Sequence, residues 1–322
     1  MKVLTSPSLW IVLLVVLAVA LIPMIANLPA LREELFVLLM LIILASSVNI
    51  IMGYTGYVSF GHIVFFGIGG YTGFFLVQTL QMHVALAALI GGGVASLIAF
   101  LMGMPVLRLR GAYFALATIG INEAFRTLVT NIDQLGGAVG MLLQFSVYDA
   151  YGGAKEASQL AYYGIILVAL LTITASFMIK KSKFGLALMA IREDQDTAMV
   201  LGIDPARAKV MTYAISAFFP ALAGALFFFK NGNIEPGPAF ELHRSIEALV
   251  MVMLGGFGTV TGPIIGAFVY ERLRGFLITD PTFSNAHLVI SGALLLIIVL
   301  FVTAGVIGWL RQQSPVLRRY LE

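Results

Sequence analysis

Two groups of residues in this chain have types and spacing suited to chemistry. The larger is a polar island at residues 180–209, KKSKFGLALMAIREDQDTAMVLGIDPARAK, set between long apolar runs, with Arg192, Glu193, Asp194 and Asp196 crowding its centre. The smaller is Glu123 and Arg126, three residues apart within an apolar run, with Asn122 beside them. Bond making is not the chemistry they suggest. The chain has no HExxH pair, no GxSxG elbow and no GxxxxGK[ST] phosphate loop. Its nearest glycine string, Gly67-Ile-Gly69-Gly70-Tyr-Thr-Gly73, lies inside an apolar run and lacks the strand–turn–helix setting of a nucleotide site. Without cysteine, disulfides and thiolate metal sites are excluded, and no metal site is expected. Pairing, docking and the lining of a path remain.

The charges within apolar runs each have two readings. Glu123 and Arg126 share a helical face at i, i+3, close enough to pair. A lone charge in lipid costs at least ~2.5–3.5 kcal/mol, so a partner or water is required. The pair lines a pathway, or it is an internal ion pair that fixes helix packing. Glu247 and Glu271–Arg272 flank an irregular segment and suit an interface. Asn49 and His62 border a glycine-rich break. A single histidine there reads as a hydrogen-bonded structural residue before it reads as a ligand or proton relay.

The island divides into short helices. Phe184–Met189 is apolar and small; the charged centre follows, then Ala198, Met199, Val200 and Leu201, with Gly202 as a helix stop. The acids suit the positive end of the second helix's dipole, and Asp204-Pro205 starts the next helix. A short amphipathic helix with an apolar patch can dock into a partner's groove. The competing reading is a helix lying on headgroups, but anionic lipid would repel its acids.

The surrounding elements fix where the island lies. The 322 residues are 60% hydrophobic and 11% charged, with mean hydropathy +0.99. A soluble domain carries about 25% charged residues. Lipid is therefore the main solvent, and the fold class is an all-α polytopic membrane protein. The net charge of +3 is spread over the ends of apolar runs, where cations orient spans rather than bind nucleic acid. Spans are predicted near 9–28, 35–52, 62–80, 84–104, 112–130, 160–179, 211–230 and 286–309. The N-terminus imitates a signal peptide, with Lys2 and a small-x-small site at Ala18-Val19-Ala20, but its apolar run is long enough for a retained span.

Broken or re-entrant helices are predicted near 53–62 and 254–263, where Gly53, Gly56 and Gly61, then Gly255, Gly256, Gly258, Gly262 and Pro263 interrupt the runs. Such breaks are tolerated where protein or a water-filled cavity covers the freed backbone. The likeness of 53–73 to 254–270 hints at an internal repeat, and Gly69 with Gly73 forms a small-xxx-small pair. With Lys2 inside, Arg108, Arg110 and the island's cations also fall inside. The tail cations Arg311, Arg318 and Arg319 join them only if 245–277 enters and returns. A hairpin of two half-spans, or two short spans, is therefore expected there, with both termini cytoplasmic. The 131–159 loop falls outside, as a plain cap or as a binding surface.

Three blocks carry a family resemblance. They are Gly53–His62 continuing through Phe65-Phe66-Gly67 to Tyr71; Arg110-Gly-Ala-Tyr113-Phe-Ala-Leu-Ala-Thr118 with Glu123 and Arg126; and Ser182 through Ala190-Ile-Arg-Glu-Asp194, Leu201-Gly-Ile203 and Ala223-Gly-Ala225 to Leu254-Gly-Gly-Phe-Gly258 with Gly262-Pro263. In order and spacing the chain resembles the permease subunits of high-affinity branched-chain amino acid ABC transporters, of the LivM type. The resemblance implies a single transmembrane permease domain over 1–322, with a cytoplasmic coupling loop at 180–210, in the bacterial inner membrane. It implies a second, LivH-type permease, two ATPases of the LivG and LivF types, and a periplasmic or lipid-anchored substrate-binding protein. It places Arg192, Glu193, Asp194, Ala198 and Gly202 in the ATPase-coupling region. Asn49, His62, Tyr113, Asn122, Glu123 and Arg126 become pathway or packing candidates. No cofactor is expected on this chain; ATP and Mg belong to the ATPases. Relatives of the type carry branched-chain amino acids, urea, short amides or aromatic acids. The rivals are a structural membrane subunit and an ion-coupled secondary transporter, which needs midplane carboxylates at broken helices. Glu123 alone is a thin supply.

Overall fold

The computed structural model describes residues 7–26 and 28–279. The span expected at 286–309, Lys2 and the tail arginines lie outside the described residues. The described helices, in order, are α1 (Pro7–Ile25), α2 (Pro29–Thr55), α3 (Ile63–Leu80), α4 (Val84–Val106), α5 (Ala112–Thr130), α6 (Phe145–Asp149), α7 (Ala154–Lys181), α8 (Lys183–Glu193), α9 (Gln195–Val200), α10 (Pro205–Asn231), α11 (Pro236–Ala239), α12 (Leu242–Gly255) and α13 (Gly262–Thr279). Two short strands, β1 (Met141–Leu142) and β2 (Asn233–Ile234), pair antiparallel. Among the described residues, α2, α3, α4, α7 and α10 are long and apolar enough to cross a membrane. The fold is an all-α polytopic membrane bundle.

Local chemistry sets the boundaries. Proline opens α2 and α10 at the first helical positions, where its missing N–H costs nothing. Left-handed glycines, Gly56 and Gly232, close the same two helices. In α2 every residue from Leu39 to Thr55 is buried, as suits a helix apolar on all sides.

Helix α10 is the hub and packs chiefly on α3 and α4. The paired glycines of α3 explain how it approaches. A Cβ on Gly69 would fall 2.3 Å from Ala221 Cα, and one on Gly73 would fall 2.7 Å from Ala225 Cβ. Two small residues four apart on each helix bring the backbones together, as membrane helices do without a hydrophobic drive.

The loops gather at two ends. At the far end, β1 lies on β2, Tyr148 donates to Phe229 O (2.8 Å), Tyr151 accepts from Val84 N (2.8 Å), and Lys230 pairs with Glu33. The 131–159 segment is thus an ordered cap. At the other end meet the α2–α3, α4–α5, α7–α10 and α12–α13 connections. Helices α12 and α13 form an antiparallel hairpin. A Cβ on Gly255 would sit 1.8 Å from Gly262 O and one on Gly266 would sit 1.8 Å from Met251 O, while Tyr270 donates to Glu247 (2.9 Å). The segment folds back on itself, with its turn at 256–261.

Candidate functional site

The island folds as a chain of caps. Ser182 accepts from Gly185 N (3.0 Å) and starts α8. Asp194 is extended (φ −156°), breaks α8 from α9, and caps α9 by accepting from Thr197 N. Helix α9 closes with Gly202 N donating to Met199 O (3.0 Å) and Ile203 N to Ala198 O (3.1 Å). That paired motif requires a left-handed residue, and Gly202 supplies it at φ +84°. Asp204 then accepts from the N–H groups of Ala206 and Arg207 and starts α10. The product is an elbow, α8–α9, with two distinct faces. Outward, Val200 is 88% exposed and Leu201 73%, with Met199 beside them. Inward, Leu188, Ile191 and Ala198 are buried.

Three anchors hold the elbow to the bundle. Arg192 Nη1 donates to Gly53 O (2.9 Å), and its guanidinium lies 5.3 Å over the Phe257 ring. The two glycine-rich breaks meet beneath it. Asn49 Nδ2 donates to Thr259 O (2.8 Å) and Asn49 Oδ1 accepts from Gly258 N (3.0 Å). A Cβ on Gly53 would lie 3.0 Å from Gly258 Cα. The second anchor is Gln195 Oε1, which accepts from Tyr57 OH (3.0 Å) and Lys209 Nζ (3.1 Å). Lys209 is only 3% exposed and donates also to Leu107 O (2.8 Å) and Tyr57 OH (2.8 Å). The third is Arg110 with Asp196, at 3.1 Å. The α2–α3 and α4–α5 connections are therefore bonded to the elbow, and the α12–α13 connection lies against it through Phe257.

The exposed charges respond to these contacts. Hydrogen bonding and charge from Asp196 raise the Arg110 guanidinium further above its ordinary value. The Thr197 backbone N–H, then the Thr197 hydroxyl, hold the Asp194 carboxyl below the ordinary aspartate range. A depressed carboxyl contributes stability that is full above its unfolded value, about 3.9, and is lost as pH falls through the folded value. Proteolysis of the elbow should thus stay slow through mildly acidic pH and rise only below the normal aspartate range. Asp194→Asn, which caps without titrating, should flatten that acid rise; the same acid profile in wild type and variant would remove Asp194 from this role.

Beside the elbow lies a groove of about 700 Å³. It is lined by Met52, Phe60, Ala115, Leu249 and Met253, together with the polar side chains of Arg110, Arg192 and Gln195. The anchors of the elbow are thus also the polar lining of an otherwise apolar trough.

The other residues singled out in the sequence are spread out. Asn122 is buried and donates to Phe240 O (2.8 Å), tying α5 to the kink before α12. His62 is buried, with Nε2 3.4 Å from Ser216 O and its ring edge-on to Phe65 and Tyr213. Tyr113 is exposed. Glu123 and Arg126 pair at 3.3 Å, but both side chains are about half exposed. The pair is not internal to this chain, because α5 buries only Phe114, Thr118, Asn122 and Val129. Sequence reasoning missed Lys209, Tyr57 and Gln195. Lys209 lies just before the span expected at 211–230, where a lysine carries no mark of burial; only the helix start at Pro205 places it one turn inside.

The chain matches, over residues 30–299, the family described as branched-chain amino acid transport system / permease component. It is 30% identical over 297 residues to the high-affinity branched-chain amino acid transport system permease protein LivM of Escherichia coli (strain K12), covering 84% of this chain and 68% of that protein. It is 25% identical over 273 residues to the probable branched-chain amino acid transport permease protein LivM of Methanocaldococcus jannaschii, covering 73% and 77%. It is also 25% identical over 293 residues to the permease protein LivH of Salmonella typhimurium, covering 83% and 90%. No solved structure gives a significant match.

Proposed function

The chain belongs to the family of branched-chain amino acid transport permease components, and we propose that it is one membrane half of an ATP-binding cassette importer for branched-chain amino acids. The observation that carries the mechanism is the anchored elbow. It offers an apolar tip, Val200 and Leu201, to the aqueous side, and its Arg192 donates to Gly53 O at the first break and lies over Phe257 of the second. A LivH-type permease closes the groove between α5 and α12 from the other side. Two ATPase subunits, which hold the ATP and Mg, seat the tip of α9. A binding protein delivers substrate at the far end, where β1 and β2 lie. In this arrangement the elbow end faces the cytoplasm, and the chain is a multi-pass protein of the cytoplasmic membrane with both termini inside.

The mechanism is alternating access. Closure of the ATPase pair displaces α8–α9 as a unit. Arg192 carries the displacement to Gly53 and Phe257, and Asn49 keeps the two breaks moving together. The walls of the groove hang from those breaks, so the groove opens to one side or the other. Its methionine, leucine and phenylalanine lining suits an aliphatic side chain. No residue of this chain makes or breaks a bond.

The tip gives the test. Val200→Asp with Leu201→Asp places charge where an apolar seat is proposed, and buried apolar contact of this size is worth ~1.5–3 kcal/mol per side chain. The ATPases should no longer co-purify with the variant, while the second permease still does. Unchanged recovery of the ATPases would rule out the tip as their seat.

A further inference from the structure

A second trough lies behind the elbow, between α4 and α10. Its volume is about 740 Å³. The walls are apolar: Phe100, Met104, Leu107, Val210 and Met211. All but Leu107, which caps α4, belong to two helices of membrane-spanning length. Phe100 lies six residues inside the end of α4, about 9 Å along its axis at 1.5 Å per residue. The mouth of the trough is basic, with Arg108, Arg110 and Arg207 around it and Lys209 just beneath. Against them stand two carboxylates. Asp196 engages Arg110 (3.1 Å), and Asp204 touches Arg207 through Nε (3.1 Å). Arg108 is exposed and has no acidic partner among the described residues. Positive charge is left over at the mouth.

We propose that this trough holds an anionic phospholipid, with its phosphodiester on Arg108 and Arg207 and an acyl chain along Phe100, Met104 and Met211. An apolar channel that runs along two spans and ends in surplus guanidinium groups has the shape and charge order of such a lipid. Guanidinium forks bind phosphate in a bidentate manner, and each cation near an anionic headgroup contributes about fivefold in affinity. A protein arriving from the aqueous side reaches the mouth but not Phe100. Gln195 and Met199 line the same trough, so the lipid lies against α9 beside its exposed tip. The elbow would then be braced by the membrane as well as by the bundle.

The test uses the full-length chain, incubated with phosphatidylglycerol or phosphatidylcholine and read by native mass spectrometry for retained lipid. Phosphatidylglycerol should be kept preferentially. Arg108→Gln with Arg207→Gln should lower its retention by roughly thirtyfold, because the backbone cap on Asp204 survives both changes. Lys155→Gln, at the opposite end of the bundle, should leave it unchanged. Met104→Trp, which fills the trough and keeps both arginines, should also expel the lipid. Equal retention of the two lipids overturns the proposal, as does wild-type retention by either trough variant. Release of phosphatidylglycerol by inorganic phosphate at equal concentration would make the mouth a phosphate site and overturn it. Release by the ATPase pair in the assembled complex would make the trough a protein seat and overturn it too.

Discussion

Arg192→Gln lowers the substrate moved per ATP hydrolysed by on the order of tenfold or more, while the transporter still assembles. The guanidinium is the link from the elbow to the breaks, through its bond to Gly53 O at 2.9 Å and its stack on Phe257 at 5.3 Å. A hydrogen bond to a charged group contributes ~1.5–3 kcal/mol, and a cation–π contact at a partly exposed site ~0.5–1 kcal/mol. The pair with Glu193 adds little, because the Glu193 side chain is 76% exposed. Glutamine cannot span both contacts. Arg192→Lys keeps the charge but loses the fork, so its ratio should fall between wild type and glutamine. The measurement is uptake over hydrolysis in proteoliposomes. A ratio unchanged in Arg192→Gln would show that force reaches the breaks by another route.

Asn49→Asp removes the folded protein. Asn49 is fully buried and serves as donor to Thr259 O and acceptor from Gly258 N. An ionised aspartate accepts from Gly258 but cannot donate to Thr259. The orphaned carbonyl costs ~1–3 kcal/mol, and an unpaired buried charge costs several kcal/mol more. Total stabilities are commonly ~5–15 kcal/mol, so this one change consumes much of the margin. Asn49→Ala leaves both backbone groups unpaired without the charge and should be milder. Monodisperse recovery from detergent checks the order wild type, alanine, aspartate. Wild-type recovery of the aspartate variant would mean that the two breaks do not depend on this side chain.

Much of the fold was legible because its signals are local. Hydropathy and glycine punctuation placed a span at 84–104, where α4 runs from Val84 to Val106, and at 62–80, where α3 runs from Ile63 to Leu80. Polar first turns hid the true starts of other helices. The span expected at 160–179 begins at Ala154, and the one expected at 211–230 begins at Pro205, because PARAK and AKEASQ are helical without being apolar. The site was half legible. Asp194, Gly202 and Asp204 act through their own neighbours, so their cap roles follow from the island's spacing. The partners of Arg192 and Asn49 were hidden. Gly53 O lies 139 residues before Arg192, and Thr259 O lies 210 residues from Asn49. A backbone carbonyl leaves no mark in a sequence. Lys209 read as one more orienting cation, because the same charge pattern fits a surface lysine and a buried one. Glu123 and Arg126 pair as their spacing requires, but which face of α5 is covered depends on what packs there.

Uptake of labelled leucine into proteoliposomes bearing this chain, its companion permease and the ATPase pair, with the binding protein supplied, tests the transport reading most directly. ATP on the side of the elbow should drive uptake, and an imposed ion gradient without ATP should not. Uptake driven by the gradient alone would contradict an ATP-powered permease and return the chain to the secondary transporters.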